Sequence, residues 1–114
     1  MSLIYKIMSH AEWEEAQQCG IYHGSAVDKQ DGFIHLSTMH QVRATAQKHF
    51  AGRTDLLLLS VRQESLGQNL KWEASRGGDL FPHIYGQLSL SAISEVVLLP
   101  LVNGSHQFPQ GLFP

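Results

Sequence analysis

Hydrophobic and polar positions along this chain change period several times, and each change marks an element. "LIYKIMS" near the start is short and rich in Ile and Tyr, so a first strand is predicted there. Ser9 and Glu12 then stand at the spacing of a capping box, with a hydroxyl at the N-cap and a carboxylate three residues on. The helix "HAEWEEAQQC" follows with Trp13 and Ala16 on one face, and Gly20 stops it. "IYHGSAVDKQDG" is punctuated by Gly24 and Gly32 and is expected to be a loop. "FIHLS" is predicted as a second strand. Thr38 and Gln41 suggest a second capping box opening "MHQVRATAQKHFAG", in which Met39, Val42, Ala46 and Phe50 recur at helical spacing.

The second half is richer in strands. "DLLLLSV" is apolar at both parities, as a central strand must be. "LKWEAS" alternates, with Leu70, Trp72 and Ala74 on one side and Lys71, Glu73 and Ser75 on the other. "RGGDLFPH" is expected to be a loop. "IYGQLSLS" alternates again, and "EVVLLPLV" is the last strand, with Pro100 bulging or ending it. The tail "NGSHQFPQGLFP" is turn-rich. Two helices in the N-terminal half and five or six strands predict an α+β fold with a mixed or antiparallel sheet. Residues 1–114 fit one domain, with a core over about 3–102 and a tail over 103–114.

Composition narrows the class. Of 114 residues 43% are apolar and 16% charged, which is the balance of a folded globular chain. The net charge of -2 provides no basic excess to grip a phosphate backbone, so general nucleic-acid binding is not expected. The single cysteine, Cys19, cannot form an internal disulfide. The N-terminus lacks the apolar core of a signal peptide, and no apolar run is long enough to cross a bilayer. A cytoplasmic protein without a membrane partner is the expectation. Seven histidines are present, but no HExxH or CxxC motif, so no metal site is predicted.

The candidate chemistry comes from alternation. If "FIHLS" is a strand, Ile34 and Leu36 face the core, and Phe33, His35 and Ser37 face the other way. By the same rule Lys6 lies opposite Tyr5 and Ile7, Glu73 opposite Trp72, and Tyr85 opposite Ile84. Should these faces coincide, they make one polar cleft. Imidazole donates from one nitrogen and accepts at the other, which suits His35 to a ribose or an amide. The alternative for His35 is a buried histidine satisfied by a carbonyl or a hydroxyl. Arg76 beside two glycines offers a guanidinium fork to a phosphate, or else is a solvated turn residue. Glu73 is a candidate general base or a stabiliser of positive charge, or else an outward-facing surface carboxylate. Tyr22, His23 and Ser25 sit in the predicted glycine loop, where they could close over a ligand or form ordinary surface.

The segments "IYKI", "WEEAQQCG", "DGFIHLST", "HFAGRTDLLLL" and "LKWEASRGGDLFPHIYGQL" resemble a small bacterial family known only as domain of unknown function 952. The resemblance covers about residues 3–100. It implies a fold similar to the ADP-ribosyltransferases, a compact α+β domain with a cleft for NAD. In one branch of those enzymes, the RNA 2'-phosphotransferases, a strand of the type "LYHGT" leads through a helix to a strand of the type "VHLS". Here "IYKI", the Trp13 helix and "FIHLS" follow that order. Lys6 stands where those enzymes place histidine or arginine, and no segment matches their glutamate.

The resemblance therefore implies a pocket for NAD or a related nucleotide or phosphorylated small molecule. His35 and Ser37 would orient a ribose or amide, and Arg76 would hold a phosphate. His83 and Tyr85 would line the pocket, with Lys6 beside them. Glu73, taken from the residues alone, would stabilise charge in transfer or hydrolysis at an anomeric carbon. The alternative class is a non-catalytic ligand-binding or regulatory module. A protein-interaction domain using Phe108 and Phe113 is a third reading.

Overall fold

The computed structural model describes residues 3–75 and 77–109. In chain order its elements are β1 (Leu3–Ser9), α1 (His10–Cys19), β2 (Ile21–Tyr22), α2 (Ala26–Asp31), β3 (Ile34–His35), α3 (Val42–His49), β4 (Leu56–Arg62), β5 (Leu70–Ala74), β6 (Leu80–Ile84), β7 (Leu88–Ser89), β8 (Ile93–Leu98), β9 (Leu101–Val102) and β10 (Ser105–His106). The fold is α+β, and the strand pairs among the described residues are antiparallel.

The central sheet has the order β1-β4-β8, and its middle strand is the "LLLL" run. Apolar residues are needed at both parities because both faces of β4 are covered. On one face Ile4, Met8, Leu57, Leu59 and Val61 join Ala16 of α1 and Ile34 and Ile84 of a second sheet. On the other, Tyr5, Ile7, Leu56 and Leu58 pack on Val42 and Ala46 of α3 and on Leu99. The second sheet has the order β3-β6-β5. It is tied to the first where Tyr5 and Ser37 exchange backbone hydrogen bonds of 2.8 and 2.9 Å.

The Ser9 capping box forms as expected, and Gly20 closes α1 in the left-handed region at φ 77°. Other boundaries differ. Residues 21–32 are not a loop: they hold β2 and the six-residue α2, so the N-terminal half has three helices rather than two. Gly24 and Gly32 flank that helix, and Gly32 is its left-handed C-cap. The Thr38 box is half made. Gln41 Oε1 accepts the Thr38 N–H at 3.0 Å, but residues 39–41 form a turn and α3 starts at Val42. The expected loop over 76–83 gives way to β6 at Leu80. "IYGQLSLS" is split by a turn, with Ile84 ending β6 and β7 covering only Leu88–Ser89. The stretch expected as the last strand is divided before Pro100 into β8 and β9, and β9 pairs with β10 of the tail in a hairpin through Asn103 and Gly104, both at positive φ. No helix among the described residues is long and apolar enough to cross a membrane.

Candidate functional site

Register in the second sheet decides which side chains meet. His35 on β3 is paired with His83 on β6, and His83 with Lys71 on β5. Ile34, Ile84 and Leu70 therefore point together into the core. His35, His83 and Glu73 share the opposite face with Phe33 and Tyr85 just beyond the strand ends. The Phe33 ring stacks on His83 at 4.1 Å between centroids and 28° between planes. It lies 4.7 Å from His35 and 5.2 Å from Tyr85. The two imidazoles meet edge to face at 5.4 Å.

The His35 ring is set by α2. Ser25 caps that helix through a capping box with Asp28, whose Oδ2 accepts the Ser25 N–H at 2.9 Å. The same carboxylate faces His35: its Oδ1 is 2.6 Å from Nδ1 and accepts the His35 N–H at 3.2 Å. From the core side, Lys6 Nζ donates to Asp28 Oδ2 and to the His35 carbonyl, both at 2.9 Å. Lys6 and Asp28 are both buried, so this is an ion pair inside the protein. Burial alone would raise the Asp28 pKa. Hydrogen bonding with His35, the charge and hydrogen bond of Lys6, and the Ser25 N–H outweigh it and hold the carboxyl well below the usual carboxylate range. The other imidazole nitrogen, Nε2, is 2.9 Å from Asp31 Oδ2 at the exposed end of α2. Gly24 permits this packing: a Cβ there would sit 2.9 Å from Asp28 Cβ, at a backbone φ of 109°.

The second imidazole is held by β5. Glu73 Oε1 lies 2.8 Å from His83 Nδ1 and accepts the Tyr85 hydroxyl at 2.8 Å. Hydrogen bonding with His83, then with Tyr85, lowers the Glu73 pKa, and the bond to Glu73 raises that of Tyr85. Lys71 Nζ lies 5.4 Å from the centre of the Tyr85 ring. Nε2 of His83 has no hydrogen-bond partner among the described residues, and His83 itself is largely buried, at 8% exposure.

His35, Glu73, His83 and Tyr85 are thus neighbours on one face. Lys6 reaches the same cluster from beneath and does not present its ammonium at the surface. Ser37 is buried, with its hydroxyl 3.0 Å from that of Thr45. Ser25 is a helix cap rather than a loop residue. Tyr22 is buried on β2 and donates its hydroxyl to Glu12 Oε2 at 3.0 Å. Burial, then the charges of Glu12 and Asp28, raise the Tyr22 pKa well above the ordinary tyrosine value. His23 is exposed and borders a separate small depression of ≈ 50 Å³ with Tyr22, Glu12 and Cys19. Arg76 and Phe113 lie outside the described residues. Phe108 packs on the α3 side of the core, 5.4 Å from the Arg43 guanidinium.

Three members of the cluster escaped sequence reasoning. Asp28 carried a signal, because Ser25 and Asp28 fit the S-x-x-D spacing of a capped helix. Phe33 fell on the right face by alternation but has no polar atom to draw notice. Asp31 carried no signal. Among the described residues, no group of three or more His, Cys, Asp or Glu is arranged to hold a metal ion.

Comparison with known proteins extends the description. The X-ray structure of protein CC0527 from Caulobacter crescentus is 50% identical, with a TM-score of 0.93, over 97% of this chain and 98% of that one. A solution NMR structure of CC0527 is 51% identical, with a TM-score of 0.82, over 93% and 91% of the two chains. No curated protein matches the chain. The family model described as protein of unknown function (DUF952) matches residues 7–96, and the chain belongs to that family.

Proposed function

We propose that the outer face of β3, β6 and β5 binds a nucleotide or related phosphorylated small molecule, in a cleft similar to that of the ADP-ribosyltransferases. One observation carries this reading. Two imidazoles, each held at Nδ1 by a carboxylate, flank an aromatic platform of Phe33 and Tyr85. Aromatic faces stack on a nucleobase or a nicotinamide, and oriented ring nitrogens bond ribose hydroxyls or an amide. By the likeness, the reaction is transfer or hydrolysis at an anomeric carbon. Glu73, held ionised beside the cleft, would stabilise the positive charge that develops there.

Thermal shift and calorimetry with NAD, ADP-ribose and AMP test the binding. At least one ligand should bind, His35→Ala should weaken it, and NAD should be consumed by the wild type only. No binding of any of the three would sink the reading.

A second reading, a non-catalytic binding module, draws on Lys6. Its ammonium is committed to Asp28 and the His35 carbonyl, so the position where the RNA 2'-phosphotransferases place histidine or arginine offers the cleft no cation. This reading predicts ligand binding in the titration with no NAD turnover beside it.

A further inference from the structure

His35 and His83 are direct cross-strand partners, and each has Nδ1 on a carboxylate oxygen, Asp28 at 2.6 Å and Glu73 at 2.8 Å. A carboxylate at Nδ1 fixes the ring so that Nε2 performs proton chemistry. The two Nε2 atoms then differ. That of His83 has no partner among the described residues, and with Nδ1–H given to Glu73 it carries the lone pair. That of His35 faces Asp31 Oδ2 at 2.9 Å, so this ring lies between two carboxylate acceptors and its Nε2 is positioned to donate. A proton acceptor and a proton donor thus sit side by side, with ring centres 5.4 Å apart.

We propose that this pair hydrolyses a phosphodiester bearing a nucleoside, with His83 as general base and His35 as general acid. The proposal rests on reading this face as the ligand site and adds a reaction at phosphorus that needs no NAD. Water attacks phosphorus and gives its proton to His83 Nε2. The P–O bond to the leaving group breaks, and the leaving oxygen takes a proton from His35 Nε2. One water is added overall, the products are a phosphomonoester and an alcohol, and nothing is oxidised or reduced. Asp31 is at the exposed end of α2, with its side chain 45% exposed, where a leaving oxygen can take its place on Nε2. Asp28, Asp31 and Glu73 surround the pair, and Lys6 is spent on Asp28. That field disfavours the dianion of a monoester relative to the single charge of a diester. Asp28 and Glu73 act through the imidazoles and are positioning residues.

The test uses the full chain and two diesters. Thymidine 5'-(4-nitrophenyl phosphate) has a leaving group that departs without a proton, whereas thymidylyl-3',5'-thymidine must protonate its leaving alkoxide. The wild type should cleave both. His83→Ala should lose at least about 100-fold on both. His35→Ala should lose as much on the dinucleotide but stay within about tenfold on the nitrophenyl ester. His35→Gln and His83→Gln, checked for folding by circular dichroism, repeat the pattern should an alanine variant not fold. Equal losses on both substrates for His35, the reverse assignment, or no wild-type turnover of the nitrophenyl ester would overturn the proposal. Calorimetry with NAD, whose phosphates each carry a single charge, separates the two failures. NAD binding without diester turnover overturns this chemistry alone, and the absence of both removes the ligand site as well.

Discussion

Asp28 illustrates how much one buried carboxylate can hold. It closes the capping box of α2, neutralises Lys6 and orients His35 at once. Removing its charge leaves the Lys6 ammonium buried without a counter-ion, a change that typically costs about 3–5 kcal/mol. We predict a loss of that order for Asp28→Asn, read as a lower urea midpoint at unchanged slope. The pH dependence has a definite sign. The folded pKa of Asp28 is depressed, so its stabilisation is complete above the unfolded carboxylate value of about 4 and is lost as pH falls below it toward the folded value. Stability of the wild type should therefore fall steeply below about pH 4, and Asp28→Asn should flatten that fall. An unchanged acid slope in the variant would remove Asp28 as its source. Glu73 makes a gentler case. Its bond raises the Tyr85 pKa, so Glu73→Gln should bring the Tyr85 titration back toward 10. The Tyr85 ring carbon shift, followed by NMR through the alkaline range, measures this directly.

At the scale of elements, the long periodic stretches were readable and the short ones were not. Alternation fixed the parity of His35, Glu73 and Tyr85, and the apolar run of β4 announced a strand covered on both faces. α2 was hidden because six residues cannot display a helical period, and its flanking glycines look like loop punctuation. The meeting of His35 with His83 was equally hidden, since cross-strand register depends on contacts distant in sequence. Alternation alone could not show that Lys6 approaches from below: its face of β1 is the face on which the second sheet packs. α2 is also where a small change should have a wide effect. In Gly24→Ala the new Cβ must displace Asp28 Cβ while the backbone stays at positive φ. A destabilisation of more than about 1 kcal/mol is expected, larger than the roughly 1 kcal/mol for loss of the Ser25 cap in Ser25→Ala. The His35 ring resonances should move in both variants, with the larger displacement in Gly24→Ala. Resonances that stay in place in both would mean that α2 does not set the ring.

The described residues centre on a three-stranded sheet with a core on each side, and the candidate site lies on the outer surface of the second sheet, beyond one of those cores. Every side chain from Leu56 to Val61 is buried, and β4 is hydrogen-bonded on both edges, to β1 and to β8. Its paired amides therefore cannot exchange through any local opening that leaves both neighbours in place. The site is built differently. His35 is on a two-residue strand, Asp28 on a six-residue helix, and among the described residues the backbone pairing of this unit with the central sheet is one bridge, between Tyr5 and Ser37. Little backbone pairing has to break for this unit to move, whereas β4 requires the entire sheet to come apart. Native-state hydrogen exchange should resolve two tiers. The β4 amides should exchange with the free energy of global unfolding, and those of α2 and β3 at a lower value that denaturant shifts only slightly. Asp28→Asn destabilises the native state against both openings, so the two tiers should fall together. If the β4 tier falls while the α2 and β3 tier stays in place, the Lys6–Asp28 pair survives the local opening and secures the fold as a whole rather than the site.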